Sequence, residues 1–151
     1  MEIKLDYSLT VDEFLEVVES VGWKTYTKQQ VKKALENTMY AVSVKVDGDI
    51  AGIGRVVGDN SIVCILTDIC VKPKFQGMGI GSMIVRKLKQ LIENSVKPGE
   101  KMQVELTPTA GNEEFYKKAG FKYEKEKITG MYLWIEKSVS YTHLTLPTIR
   151  L

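Results

Sequence analysis

Three glycines at alternate positions, in Gln76-Gly-Met-Gly-Ile-Gly81, stand between an apolar run and an amphipathic one. The run before them, Ile62 to Val71, is nearly all apolar and ends at Pro73. This is the pattern of a strand covered on both faces. The stretch after them extends to about Asn94, with Met83, Ile84, Leu88, Leu91 and Ile92 on one side and Arg86, Lys87, Lys89 and Glu93 mostly on the other. Its spacing predicts a helix with one buried stripe. A strand, a glycine loop and a helix start together restrict the fold. Without Cβ atoms the loop backbone can approach a ligand closely. The first N–H groups of the helix lack internal partners and have the positive end of its dipole behind them. Such a site suits a phosphate or pyrophosphate.

Two familiar phosphate loops do not fit. A Walker loop closes on Lys-Ser or Lys-Thr, which this segment lacks. A dinucleotide fingerprint needs a third glycine where Ser82 or Ile84 stands, and a βαβ setting. Here the preceding elements read as antiparallel hairpins. Tyr40 to Val46 and Ile50 to Val57 alternate, with Asp47-Gly-Asp49 as the turn between them. Ile3 to Leu9 reads as a first strand. Two helices follow it, each opened by a capping box, Thr10-Val-Asp-Glu13 and Thr27-Lys-Gln-Gln30. Beyond the glycine helix come a strand at Met102 to Leu106, a short helix at Gly111 to Ala119 and two last strands, Phe121 to Tyr123 and Met131 to Ile135.

With 151 residues and 44% hydrophobic content the chain has the size and core of one domain. Residues 1–137 form that domain. Residues 138–151 lack turn residues at useful positions and read as an adapter-derived tail, to which the only histidine, His143, belongs. A net charge of +2 with acids and bases interleaved argues against a nucleic-acid partner. No apolar stretch reaches the roughly 20 residues that span a bilayer, and no signal segment opens the chain, so no membrane partner and a cytoplasmic location are expected. Cys64 and Cys70 lie six residues apart in one run. On a regular strand they share a face at roughly 20 Å, too far for a disulfide. They read as buried thiols without metal-ligand spacing, and no metal is expected.

The segment Asp68-Ile-Cys-Val-Lys-Pro-Lys-Phe-Gln-Gly-Met-Gly-Ile-Gly-Ser-Met-Ile84 resembles motif A of the GNAT (GCN5-related N-acetyltransferase) family. Asn112-Glu-Glu-Phe-Tyr-Lys-Lys-Ala-Gly-Phe121 resembles the family's second signature, and the order of elements over 3–136 is similar to the family's. The resemblance implies an α/β fold: a mixed, mostly antiparallel sheet of about seven strands, helices on both faces, and a central strand with a bulge that splays from its neighbour. It implies an acetyl-CoA-dependent N-acetyltransferase acting by direct attack of a primary amine. The coenzyme pyrophosphate would rest on residues 76 to 82, that is Gln76, Gly77, Met78, Gly79, Ile80, Gly81 and Ser82. The pantetheine would run along Ile69, Cys70 and Val71, with Asn112 on a pantetheine amide and Phe115 and Tyr116 beside it.

Tyr116 is where many members place the acid that protonates the leaving thiolate, a reasonable match in pKa. It reads equally as a packing aromatic beside Phe115. For the base that deprotonates the amine there are two candidates. Asp68 is a carboxylate in an apolar run, which is costly unless paired or functional. Glu105 lies on the neighbouring strand. The acceptor pocket would use Trp23 and Tyr26, between the first two helices. Arg55 would bind an acceptor carboxylate or pair with Asp68 or Asp59. A small-molecule amine is the expected acceptor. A protein or peptide acetyltransferase, or a coenzyme-A-binding module without turnover, are the alternatives. Homodimers are common in the family.

Overall fold

The structure, a computed structural model, describes residues 1–23, 25–123, 133, 134, 136 and 137. The first helix, α1 (Val11–Ser20), starts where the capping box places it. The Thr10 hydroxyl accepts the Glu13 N–H at 3.1 Å, and the Glu13 carboxylate accepts the Thr10 N–H at 2.9 Å. Thr27 caps α2 (Lys28–Glu36) by accepting the Gln30 N–H at 3.1 Å.

Five strands form one sheet among the described residues: β1 (Ile3–Asp6), β2 (Tyr40–Val46), β3 (Asp49–Gly58), β4 (Val63–Val71) and β5 (Gln103–Glu105), in that spatial order. The first four are antiparallel neighbours, while β5 runs parallel to β4 and pairs only Val63–Ile65 with Gln103–Glu105. The sheet is therefore mixed and mostly antiparallel, as expected. A single 3-10 turn (Pro73–Phe75) leads to the glycine segment and α3 (Ile80–Ser95), and a short α4 (Glu113–Lys118) follows β5.

Helices cover both faces. On one face Ile80, Ile84, Val85, Leu88 and Ile92 of α3 pack on Val42, Val44, Val56, Cys64 and Leu66. On the other, Phe14, Leu15, Val17 and Val18 of α1, with Val31 of α2, pack on Ile50, Ile53 and Cys70. Two glycines of β3 let α3 sit this close. A Cβ on Gly52 would stand 3.0 Å from Ile80 Cγ2, and one on Gly54 only 2.5 Å from Ile84 Cγ2. None of the helices in the described residues is long and apolar enough to cross a membrane.

Three expectations change. Phe121 to Tyr123 is not a strand, and Met131 to Ile135 lies outside the described residues except for Leu133 and Trp134, so the sheet of the described residues has five strands. The tail 138–151 is likewise outside them. The strand covered on both faces is β3 rather than β4. Ile65 is 42% exposed and Ile62, just before the strand, 69%, and neither belongs to the core packed under α1 or under α3. Third, Cys64 and Cys70 do not share a face. Arg55 faces Thr67 and Ile53 faces Cys70, so both Asp68 and Ile69 stand opposite Gly54 alone. Asp68 takes φ 55°, the left-handed region, and makes a β-bulge. One extra residue inverts the side-chain alternation. Cys64 and Leu66 therefore point to α3, Cys70 points to α1, and Ile69 and Val71 turn back toward α3. Both thiols are buried and free.

Candidate active site

Beyond Ile65 the outer edge of β4 has no strand on it among the described residues. Its backbone direction follows from one hydrogen bond. The Lys72 N–H donates to the Ala51 carbonyl of β3 at 2.8 Å. Alternation along the strand then turns Cys70 toward β3 as well, and turns the N–H and C=O of Ile69 and Val71 outward. The Gln76 side-chain amide agrees with this, since it donates to the Val71 carbonyl at 3.0 Å. The open edge borders a cleft of about 770 Å³, within the range of small-molecule and cofactor sites. Residues 65–71 form one wall. Leu106, Thr107, Thr109, Asn112, Phe115 and Tyr116 line the opposite side.

The glycine segment closes one end. Gly77, Gly79, Gly81 and Ser82 line the cleft. Gly77 and Gly79 take φ 81° and 80°, and a Cβ at either would meet nothing within 4 Å. They are glycines for their backbone conformation, not for want of space. The helical ladder of α3 begins with the Met83 N–H on the Gly79 carbonyl at 3.1 Å. The N–H groups of Ile80, Gly81 and Ser82 therefore lack helical acceptors. Gly81 lies beside the Phe115 ring, which a Cβ there would meet at 3.4 Å, an ordinary contact distance. The side chains of Met78 and Ile80 point elsewhere, into the α3 core, so these two can offer a ligand only backbone.

Tyr116 sits across from the open edge. Its ring meets Phe115 edge-on at 4.9 Å and Phe121 at 6.2 Å, so the packing role read from sequence is real. It also lines the cleft, and burial raises the pKa of its hydroxyl above the ordinary phenol value. The helix that carries it ends as the sequence predicts, with Gly120 at φ 98° and the Phe121 N–H on the Tyr116 carbonyl. Asn112 precedes that helix, and its amide donates to the Thr109 hydroxyl at 2.6 Å.

The remaining candidates separate. Asp68 lines the cleft, but its Oδ2 accepts from Arg55 Nε at 2.5 Å, and both side chains are mostly buried. Of the roles open to Arg55, the structure selects the pair with Asp68, and Arg55 does not line the cleft. Glu105 is exposed on β5 and is absent from the cleft wall. Trp23 lines the cleft beside Val21, whereas Tyr26 packs against the α1 core. Sequence reading passes over Thr67, Thr107 and Thr109 of the wall, and over Thr38, whose hydroxyl accepts from Arg55 Nη1 at 3.1 Å. The Thr107-Pro-Thr109 step just after β5 is the local signal for two of them. No signal marks Thr38, which depends on a contact 17 residues away.

An open strand edge running into a glycine loop at a helix start is a site for an extended ligand that ends in phosphate. Residues 11–134 match the acetyltransferase (GNAT) domain family. The chain belongs to the GNAT acetyltransferase family. It is similar to the uncharacterized N-acetyltransferase ycf52 of Pyropia yezoensis, 28% identical over 129 residues that make up 83% of this chain and 72% of that protein. A solved structure of a probable acetyltransferase from Staphylococcus aureus superposes with TM-score 0.78 at 25% identity, covering 89% of this chain and all of that one. A GNAT protein from Streptococcus pneumoniae gives TM-score 0.69 at 24% identity over 91% of this chain and 98% of its own, a likeness of fold. The enzyme is thus an N-acetyltransferase, and the family generally uses acetyl-CoA. The residues present fit that cosubstrate. Unpartnered N–H groups at the start of α3 suit a pyrophosphate, and the outward N–H and C=O groups of Ile69 and Val71 suit the amides of a pantetheine arm. Among the described residues no group of three or more His, Cys, Asp or Glu is placed to hold a metal ion.

Proposed function

We propose that this enzyme acetylates the primary amine of a small molecule by direct attack on acetyl-CoA, in one domain spanning 1–137, and that it works in the cytoplasm. The carrying observation is that Tyr116 and the open edge of β4 face one cleft that also reaches the glycine loop. The amine must lose a proton before it attacks, and the thiolate must gain one as it leaves. Tyr116 supplies the second proton. A tyrosine hydroxyl is protonated through the neutral range, and burial, which raises its pKa, leaves it so. The outward N–H of Ile69 is the group available to the oxygen charge of the tetrahedral state.

We assign the first proton to water rather than to a carboxylate. Glu105 is outside the cleft, and the Asp68 carboxylate is engaged by Arg55. Acetyl-CoA supplies the thioester and its thiol leaving group when bound. Val21, Trp23, Ile65 and Leu106 give the cleft an apolar lining, which supports an acceptor with an apolar body beside its amine.

The test is an incubation with radiolabelled acetyl-CoA and polyamines, arylalkylamines, aminoglycosides and peptides. Transfer to a small amine with kcat/KM rising through the acceptor's own pKa is expected. Transfer to peptides alone would move the reading to a protein acetyltransferase, and binding of acetyl-CoA without transfer to any acceptor would refute turnover. Tyr116→Phe should lower kcat by about 10²-fold or more and leave acetyl-CoA binding intact.

A further inference from the structure

The bulge of β4 is held from behind. Among the described residues Asp68 is one of three non-glycine positions with positive φ, and the other two, Asp47 and Asn60, sit in turns between strands. Of the three, Asp68 alone adopts this conformation inside a strand. Its carboxylate accepts Arg55 Nε at 2.5 Å. Arg55 Nη1 donates to the Thr38 hydroxyl at 3.1 Å, and that hydroxyl donates to the Ala34 carbonyl at the end of α2 at 2.8 Å. The guanidinium thus bridges the bulge to the end of a helix. The Arg55 and Asp68 side chains are 16% and 18% exposed, so the pair is shielded from water and holds its geometry better than a surface pair would. One residue past the latch lies Ile69, whose N–H faces the cleft.

We propose that Arg55 is a positioning residue for acetyl transfer. By holding Asp68 in the left-handed conformation it fixes the bulge that aims the Ile69 N–H at the reacting carbonyl. Neither residue takes the amine's proton. This rests on the acetyl-transfer reading above.

The variants separate backbone from charge. Asn accepts the left-handed region nearly as well as any L residue and can still accept from Arg55. Asp68→Asn should therefore keep kcat within about 3-fold, and Asp68→Gly should keep most of it, because glycine needs no help to adopt φ 55°. Asp68→Ala should lose about 10-fold or more in kcat, since alanine is disfavoured there and lacks the acceptor. Arg55→Lys and Arg55→Met should behave like Asp68→Ala, because an ammonium cannot serve Asp68 and Thr38 together in the fixed fork of a guanidinium.

In all of these the KM for acetyl-CoA should change less than kcat, since the glycine segment and Val71 are untouched and only Ile69 of the pantetheine edge adjoins the bulge. Val44→Ala, a core truncation on β2 away from the cleft, gives the control. It should lower Tm with kcat unchanged.

Steady-state kinetics and thermal melts on the full chain decide the matter. If Asp68→Asn is as inactive as Asp68→Ala while folded, the carboxylate is itself the base and the proposal falls. It also falls if the Arg55 variants lose Tm but keep kcat, or if Val44→Ala loses kcat in proportion to its Tm. A wild-type enzyme that acetylates no amine would instead strike the proposed function.

Discussion

Replacing Gly54 with alanine tests whether α3 rests on β3 as closely as the structure has it. The added Cβ would stand 2.5 Å from Ile84 Cγ2, 2.8 Å from Ile69 Cδ1 and 3.1 Å from Leu88 Cδ1. Ile84 and Leu88 are completely buried, so they cannot swing into solvent to make room. Overfilling a packed core typically costs about 1–3 kcal/mol. For a chain of this length, each kcal/mol lowers Tm by about 2–4 °C, which places the loss at about 2–12 °C. A double-mutant cycle with Ile84→Ala gives the sharper measurement. Alone, Ile84→Ala removes the first clashing methyl and leaves a cavity, at a cost of about 2–5 kcal/mol. In the double variant the methyl added at position 54 enters the space that Ile84 vacates. The combined loss should then fall short of the sum of the single losses by more than about 0.5 kcal/mol. Denaturant unfolding of the four proteins gives the numbers. A Gly54→Ala variant indistinguishable from wild type, or losses that simply add, would show that α3 does not sit on β3 at this separation.

Gly79→Ala puts a side chain where there is room for it but not the backbone freedom. It should cost about 1–2 kcal/mol in chemical unfolding and raise the KM for acetyl-CoA, as N–H groups turn away from the phosphates. Glu13 should make stability depend on acid. Desolvation pulls its pKa up, but the hydrogen bonds from Thr10 and the Lys45 ammonium outweigh this and leave it below the ordinary 4.5. A lowered folded value means the contribution is complete above the ordinary value and is lost as pH falls through the folded one. Melts between pH 7 and 3 should show a shallower decline for Glu13→Gln. Finally, burial and then the charge of Asp68 raise the Cys70 thiol to about 12, and burial raises Cys64 as well. A thiol reagent at pH 8 should label neither in the native protein and both after unfolding.

What could be read from sequence was what depends on neighbours in the chain. Thr10 and Glu13 are three residues apart, and their box forms as expected. Gly77 and Gly79 mark a loop at the cleft, as read, although it is positive φ rather than close packing that calls for glycine at both. Tyr116 and Asn112 were placed by a motif and do meet the cleft. Side-chain pairings across the sheet were legible only as alternatives. Arg55 and Asp68 are 13 residues apart, and nothing in either neighbourhood says that they meet rather than face a ligand. Glu105 looks like a good base because β5 adjoins β4, but β5 stops after three residues and its carboxylate faces outward.

The error over Cys64 and Cys70 has the same origin as the site. An apolar run of ten residues hides its own alternation, because every position can be buried on one face or the other. The only acid in it, Asp68, then reads as an anomaly of composition, and a catalytic role is the natural guess. Its backbone gives a different account. A residue that must adopt φ 55° in a strand is best chosen from Gly, Asn and Asp. Of these, Asp alone adds a charge that a neighbouring guanidinium can hold. The extra residue moves Cys70 to the α1 core and returns Ile69 and Val71 to the α3 side. It sits where β4 loses β5, so the strand bends just where its edge is free to receive a ligand. The same local distortion therefore breaks the hydrophobic pattern and opens the site. In an apolar strand ahead of a glycine loop, an isolated Asp is then better read first as a bulge and only second as a base.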